Sequence, residues 1–229
     1  MQSVQDLELH NFFNISEFSH ALLFEGCIFP WEAIETLSEY LSKLDLGEVQ
    51  SAIPSSVHLV QPSLISIGKD TVIEAGAYIE GPCVIGDRCV IRNGAYIRGN
   101  ALIGNRCVIG HGSEIKNAIL MDGAKAPHFN YIGDSILGNG VNVGAGVKCA
   151  NFRLDGAEIT ISAHGKKWKT GLKKLGAIIG DGANVGCNCV LNPGTLLGKN
   201  ALCFPCLNVS GVVPNHAKVK SAQKNIVEF

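Results

Sequence analysis

Arg98 and Lys116 lie eighteen residues apart in the chain. In a fold that returns to the same face every eighteen residues, a guanidinium and an ammonium would converge there, an arrangement suited to a dianion such as a phosphate monoester. His111 and His128 are seventeen apart, and an imidazole, with its pKa near neutrality, is a natural general base. A lone histidine is more often a plain surface residue, so His128 needs a positioned surrounding before it means more. Histidines stacked between coils also build zinc sites, but zinc needs three converging ligands and the chain has no His-x4-His pair, so no metal is expected. Cys203-Phe204-Pro205-Cys206 has redox-motif spacing. Lys166, Lys167, Lys169, Lys173 and Lys174 form a basic cluster, read most simply as a solvated loop and otherwise as a contact for an anionic ligand.

What must position these residues is a repeat. Isoleucine recurs every six residues at Ile67, Ile73, Ile79, Ile85, Ile91, Ile97, Ile103, Ile109 and Ile115. An α-helix would smear that spacing around its circumference, whereas short straight segments with a corner every six residues turn every isoleucine inward. The fourth residue after each of the first eight isoleucines is small: Thr71, Ala77, Cys83, Cys89, Ala95, Ala101, Cys107 and Ser113. This is the hexapeptide pattern of an all-β parallel β-helix, three hexads to a triangular turn, with residues about eighteen apart stacked at about 4.8 Å. The same pattern places Cys203 inside and Cys206 outside, which makes the pair packing rather than redox chemistry.

After Ile115 the phase slips by one or two residues and resumes through Ile132, Leu137 and Val143; it restarts at Ile179 and continues through Val185, Leu191, Leu197, Cys203 and Val209. The expected organisation is an N-terminal segment over 1–60, a β-helix over 61–213 with a looped insertion at 150–177, and a tail over 214–229. After Pro30, Trp31 to Leu41 has apolar residues at helical spacing, which predicts one helix that caps the open coil.

The 229 residues leave room for one main domain and a modest appendage. Charged residues are 17% and the formal net charge is −1, which gives no electrostatic case for nucleic acid or a membrane surface as partner. The N-terminus lacks the basic region and apolar core of a signal peptide, so a cytoplasmic location is expected, and the nine cysteines are expected to be thiols.

The strings Glu114-Ile115-Lys116-Asn117, Lys125-Ala126-Pro127-His128-Phe129-Asn130-Tyr131-Ile132-Gly133-Asp134 and Asn142-Val143-Gly144-Ala145-Gly146, with Asn151 before the insertion, resemble the acetyltransferase domain of bifunctional glucosamine-1-phosphate acetyltransferase/N-acetylglucosamine-1-phosphate uridyltransferases. The end of the insertion, Lys169 to Asp181, is similar to that of archaeal sugar-1-phosphate nucleotidyltransferases. The resemblance implies a left-handed coil, a homotrimer, and acetyl transfer from acetyl-CoA, without a metal, to the amine of glucosamine-1-phosphate or a related amino-sugar phosphate, a step toward UDP-N-acetylglucosamine. It makes His128 the general base and Asn151 the amide beside the acceptor nitrogen. Arg98 and Lys116 would hold the phosphate, Tyr131 and Asn142 the sugar, and Ala145, Cys187 and Pro205 the acetyl-CoA channel. Cys187 and Phe152 stand where the bacterial enzymes carry Ser and Tyr. No Gly-rich nucleotidyltransferase loop precedes the coil, so the acetyl step alone is expected. The alternatives are a hexapeptide acyltransferase with another acceptor and a catalytically silent β-helix scaffold for a separate nucleotidyltransferase.

Overall fold

The computed structural model describes residues 4–221. Short parallel strands wind into a left-handed β-helix of triangular section. One face carries Tyr78–Glu80, Tyr131–Gly133, Lys148–Cys149 and Val190–Leu191. A second carries Cys83–Ile85, Ile136–Leu137, Ala177–Ile179 and Thr195–Leu197, and a third Val90–Ile91, Val108–His111, Lys125–His128, Asn142–Val143 and Asn184–Val185. Tyr96–Ile103 and Glu114–Leu120 are longer and cross the corner between the first two faces.

The register follows the hexads. Tyr78 pairs with Tyr96, Cys83 with Ala101 and Val90 with Val108, each a step of eighteen. The nine isoleucines fill the interior together with the small residues at the intervening places. Cys83, Cys89, Cys107, Cys149, Cys189 and Cys203 are buried thiols; burial pushes Cys149 up to about 12 and Cys203 up to about 11, so both stay protonated and unreactive.

The phase slip has a definite place. Arg98 still faces Lys116, but Ala101 faces Ala118, so Gly99-Asn100 in one turn lies opposite Asn117 alone in the next. The following turns advance by seventeen, as Val108 with Lys125 and Glu114 with Tyr131 show. Lys148 then pairs with Val190, a step of 42 across the insertion.

Two expectations need correction. Helix α1, Glu32–Ser42, does not cap the coil's open end; it lies along the second face, against the strands Tyr96–Ile103 and Glu114–Leu120. The reason is the outward-facing residue of each strand on that face: Val84, Leu102, Ile119, Ile136, Ile178 and Leu196. A continuous apolar strip of that kind must be covered, and each large side chain buried there contributes about 1.5–3 kcal/mol. Phe12, Phe13, Phe24, Trp31, Leu37 and Leu41 cover it from the N-terminal segment. The insertion completes the cover as an antiparallel hairpin, Thr160–Ala163 with Lys166–Lys169, whose Trp168 ring sits 5.7 Å from that of Phe29. The coil is also longer than 61–213. Val49 bridges to Ile67, His58–Val60 pairs with Tyr78–Glu80, and Lys218–Val219 still pairs with Leu202–Cys203. The part of the expected tail over 222–229 lies outside the described residues. Among the described residues no helix is long and apolar enough to cross a membrane.

Candidate functional site

The corner between the third and first faces lies opposite the covered second face, and four of the nine predicted site residues, His128, Ala145, Cys187 and Pro205, line it. The strand Lys125–His128 stacks on Val108–His111 with His128 directly over His111. Above His128 the column continues through Ala145, Cys187 and Pro205. A ladder of backbone bonds fixes this order: Phe129 N–H donates to His111 O (2.7 Å), Gly146 N–H to His128 O (3.0 Å), Asn188 N–H to Ala145 O (2.8 Å) and Cys206 N–H to Cys187 O (2.8 Å). The residue predicted as the base and the three predicted to line the donor channel therefore form one line parallel to the coil axis.

Buried Asn130 shapes the corner at His128. Its Oδ1 accepts from the His128 backbone N–H (3.1 Å) and from Ser113 Oγ (3.4 Å), and its Nδ2 donates to Gly144 O (2.7 Å). Phe129 then takes a left-handed conformation, φ 37°, and lies exposed beside the His128 ring. His128 is itself exposed, and among the described residues no group hydrogen-bonds its imidazole. It is therefore free to meet a ligand on the open side of the corner.

On the third-face side, Asn142, Gly144, Val185, Cys187, Phe204 and Pro205 border a predominantly apolar groove of about 370 Å³. Asn142, predicted beside Tyr131 as a sugar contact, borders this groove, and among the described residues no hydrogen bond joins it to the polar group on the first face.

That polar group surrounds Asp134. Arg98 and Lys116 are direct neighbours in register, as their spacing predicts. Neither is a bare cation: Arg98 Nη1 lies 2.8 Å from Glu114 Oε1, and Lys116 Nζ lies 3.1 Å from Asp134 Oδ2. Asp134 is 4% exposed. Its carboxylate also accepts from Asn117 Nδ2 (2.8 Å) and, in a short bond, from Asn151 Nδ2. Asn151 Nδ2 reaches the Tyr131 hydroxyl as well, at 3.1 Å. Burial is the main cause that pushes the Tyr131 phenol above its ordinary range, with the Asn151 bond opposing it, so Tyr131 stays a neutral donor at neutral pH. Arg98, Lys116 and Asn117, with Glu80, Pro82 and Asn100, border a shallow depression of about 380 Å³.

The sequence that builds these arrangements is similar to known proteins. Residues 79–165 match the family model for the GMPPB C-terminal domain, and 176–202 that for the hexapeptide repeat of succinyl-transferase. A bifunctional sugar-1-phosphate nucleotidylyltransferase/acetyltransferase of Sulfurisphaera tokodaii is 32% identical over 77% of this chain and 43% of that protein. The bifunctional protein GlmU of Methanococcus maripaludis (strain S2) is 34% identical over 76% of this chain and 41% of that protein. The chain resembles the acetyltransferase domain of such bifunctional enzymes. It spans less than half the length of either relative. Among solved structures, the UDP-N-acetylglucosamine acyltransferase from Campylobacter jejuni superposes with a TM-score of 0.47 at 19% identity, over 73% of this chain and 69% of that one.

The two family models span the Asp134 cluster and the corner column as far as Cys187, with Pro205 beyond them, and do not rank the residues within them. Sequence reasoning missed Glu114, Asn117, Asn130 and Asp134 as parts of the site, although a signal was there. In the shortened turns Gly133 pairs with Lys116, so Asp134, seventeen residues beyond Asn117, sets a carboxylate beside the cation. The basic cluster divides. Lys166, Lys167 and Lys169 are exposed on the hairpin that covers the second face, away from the corner column, whereas Lys174 bridges back to Phe152 next to Asn151.

Proposed function

We propose that the protein is an acetyl-CoA-dependent N-acetyltransferase acting on the amine of glucosamine-1-phosphate or a related amino-sugar phosphate, and that it works as a homotrimer without a metal. The observation that carries the reading is the corner column, in which His128 stands in one line with Ala145, Cys187 and Pro205 beside an apolar groove. A donor laid along that line would bring its thioester to the imidazole. The exposed Phe129 and Phe204 flank the column and would form its wall against a neighbouring prism, which makes the cleft between protomers the place where donor and acceptor meet.

The chemistry then follows from the side chains. The acceptor nitrogen attacks the thioester carbonyl, His128 removes a proton from that nitrogen as the C–N bond forms, and collapse of the tetrahedral intermediate breaks the C–S bond. The departing thiolate takes up a proton, for which the imidazolium is the nearest source. The Lys116, Tyr131 and Asn151 group holds the acceptor on the first face.

One observation favours a second reading, a hexapeptide acyltransferase with a different acceptor: Arg98 and Lys116 already have carboxylate partners, so a phosphate must displace or share them. Thiol release from acetyl-CoA, measured across amino-sugar phosphates, free amino sugars and nucleotide-linked amino sugars, decides between the two. Turnover with phosphorylated amino sugars well above the rest is the expected result. No release with any acceptor would refute both and leave the scaffold.

A further inference from the structure

We infer that Asp134 is a positioning residue that locks the Asn151 amide with its oxygen outward, and so selects an acceptor whose attacking atom has a second hydrogen to donate. The inference rests on the proposed acyl transfer for its chemical meaning, but its geometry stands independently. A primary amide has two N–H donors and one acceptor oxygen, and which end points where is decided by its neighbours. At Asn151 both hydrogens are committed: Nδ2 donates to Asp134 Oδ2 and to the Tyr131 hydroxyl. The reverse orientation would set the amide oxygen against a buried carboxylate that has no hydrogen to offer, an acceptor against an acceptor. Among the described residues no donor reaches Asn151 Oδ1.

Asp134 is itself built to stay in place. Its backbone N–H donates to Lys116 O at 2.9 Å, and its carbonyl accepts from Gly176 N–H at 2.8 Å, across the root of the insertion. Lys116 and Asn117 supply the other donors to its carboxylate. Its φ of 47° places it in the left-handed region that Asn and Asp tolerate better than most residues, so the corner conformation and the carboxylate suit the same residue type. A fixed acceptor at Asn151 Oδ1 has a direct consequence for specificity. An amine attacking the thioester gives one proton to His128 and keeps another N–H for Asn151 Oδ1. A hydroxyl gives its only proton to His128 and leaves that oxygen unpaired. The same cluster therefore favours N-acylation over O-acylation.

The test is Asp134→Asn, which keeps the size but presents an NH₂ that turns the Asn151 oxygen inward. It also removes the counter-ion of Lys116. The two effects have opposite signs in the kinetics, which a general loosening of the fold would not produce. We expect kcat with the amino-sugar phosphate to fall about 10-fold or more, while KM for the phosphorylated acceptor stays level or drops and KM for acetyl-CoA is unchanged. A rise in acceptor KM with kcat retained would overturn the inference. A second readout needs neither turnover nor a folded variant. In the wild-type protein, the Asn151 side-chain amide should give two distinct 15N-attached proton signals that exchange slowly with deuterium, one of them shifted downfield by its carboxylate partner. Rapid exchange of both would overturn the locked orientation. If the wild type acetylates no amino-sugar phosphate, the proposed function fails while the amide signals still decide the role of Asp134.

Discussion

Arg98 is where the proposed acceptor assignment is most exposed to test, because the structure shows what a phosphate would compete with. A charge-assisted hydrogen bond from its guanidinium to a phosphate oxygen is worth about 1.5–3 kcal/mol. The resident partner is Glu114, at 2.8 Å, with side chains 43% and 29% exposed, and an ion pair in that setting is worth about 0–1 kcal/mol. The hydrogen bond to Glu114 also raises the pKa of Arg98, so the guanidinium stays charged throughout. With mid-range values for both, the net gain on exchanging Glu114 for substrate is about 1–2 kcal/mol, or about 5–30-fold in affinity. Arg98→Ala should therefore raise KM for glucosamine-1-phosphate by about 5–30-fold and leave KM for acetyl-CoA unchanged. Glu114→Gln removes the competitor's charge and keeps its shape; it should lower the same KM by up to about 5-fold, the whole worth of the exposed pair. Thiol-release kinetics with glucosamine-1-phosphate and with unphosphorylated glucosamine measure these quantities. If Arg98→Ala affects the two acceptors equally, Arg98 does not bind the phosphate. If Glu114→Gln raises KM, Glu114 contributes to binding and is no competitor, and the reasoning fails at that step.

Other outcomes follow from the same geometry. His128→Ala should lower kcat by about 100-fold or more with little change in KM for acetyl-CoA, since the groove beside Cys187 and Pro205 is untouched; retention within a few-fold excludes the base role. Light scattering should give about three times 24.3 kDa, and a fully active monomer would remove the shared cleft. The Tyr131 phenol is held above its ordinary pKa of 10: the native state grips the proton more tightly than the unfolded chain, so its contribution to stability is complete below pH 10 and lost as pH rises through the folded value. Tyr131→Phe should accordingly leave the pH profile of kcat unchanged up to pH 10, and an alkaline limb below pH 10 that vanishes in this variant would contradict the shift. Leu37→Ala should cost about 2–5 kcal/mol in guanidinium unfolding, because Leu37 is fully buried between α1 and the coil.

The coil was legible because its signal is periodic. One isoleucine every six residues sets the inward column, and the spacing of Arg98 and Lys116 then predicts a contact that the register confirms. The place of α1 was less legible, since inward periodicity says nothing of the outward residues between the isoleucines. Val84, Leu102, Ile119, Ile136, Ile178 and Leu196 are spaced one turn or one insertion apart, and only when stacked do they become a strip that needs cover. The candidate site divides in the same way. The line from His128 through Ala145, Cys187 and Pro205 follows from register arithmetic once the turns of seventeen and the step of 42 are known. The state of the cations does not. Lys116 looked like a free positive charge because its residue type is cationic, and what it can do depends on Asp134, buried beside it. A spacing rule finds which residues share a face; the charge left over for a substrate is a property of the whole face. On this one, Arg98 and Lys116 are offset by Glu114 and Asp134, so in the proposed reaction discrimination for a phosphate would come from exchanging partners, and discrimination for an amine from an amide that one of those partners holds in place.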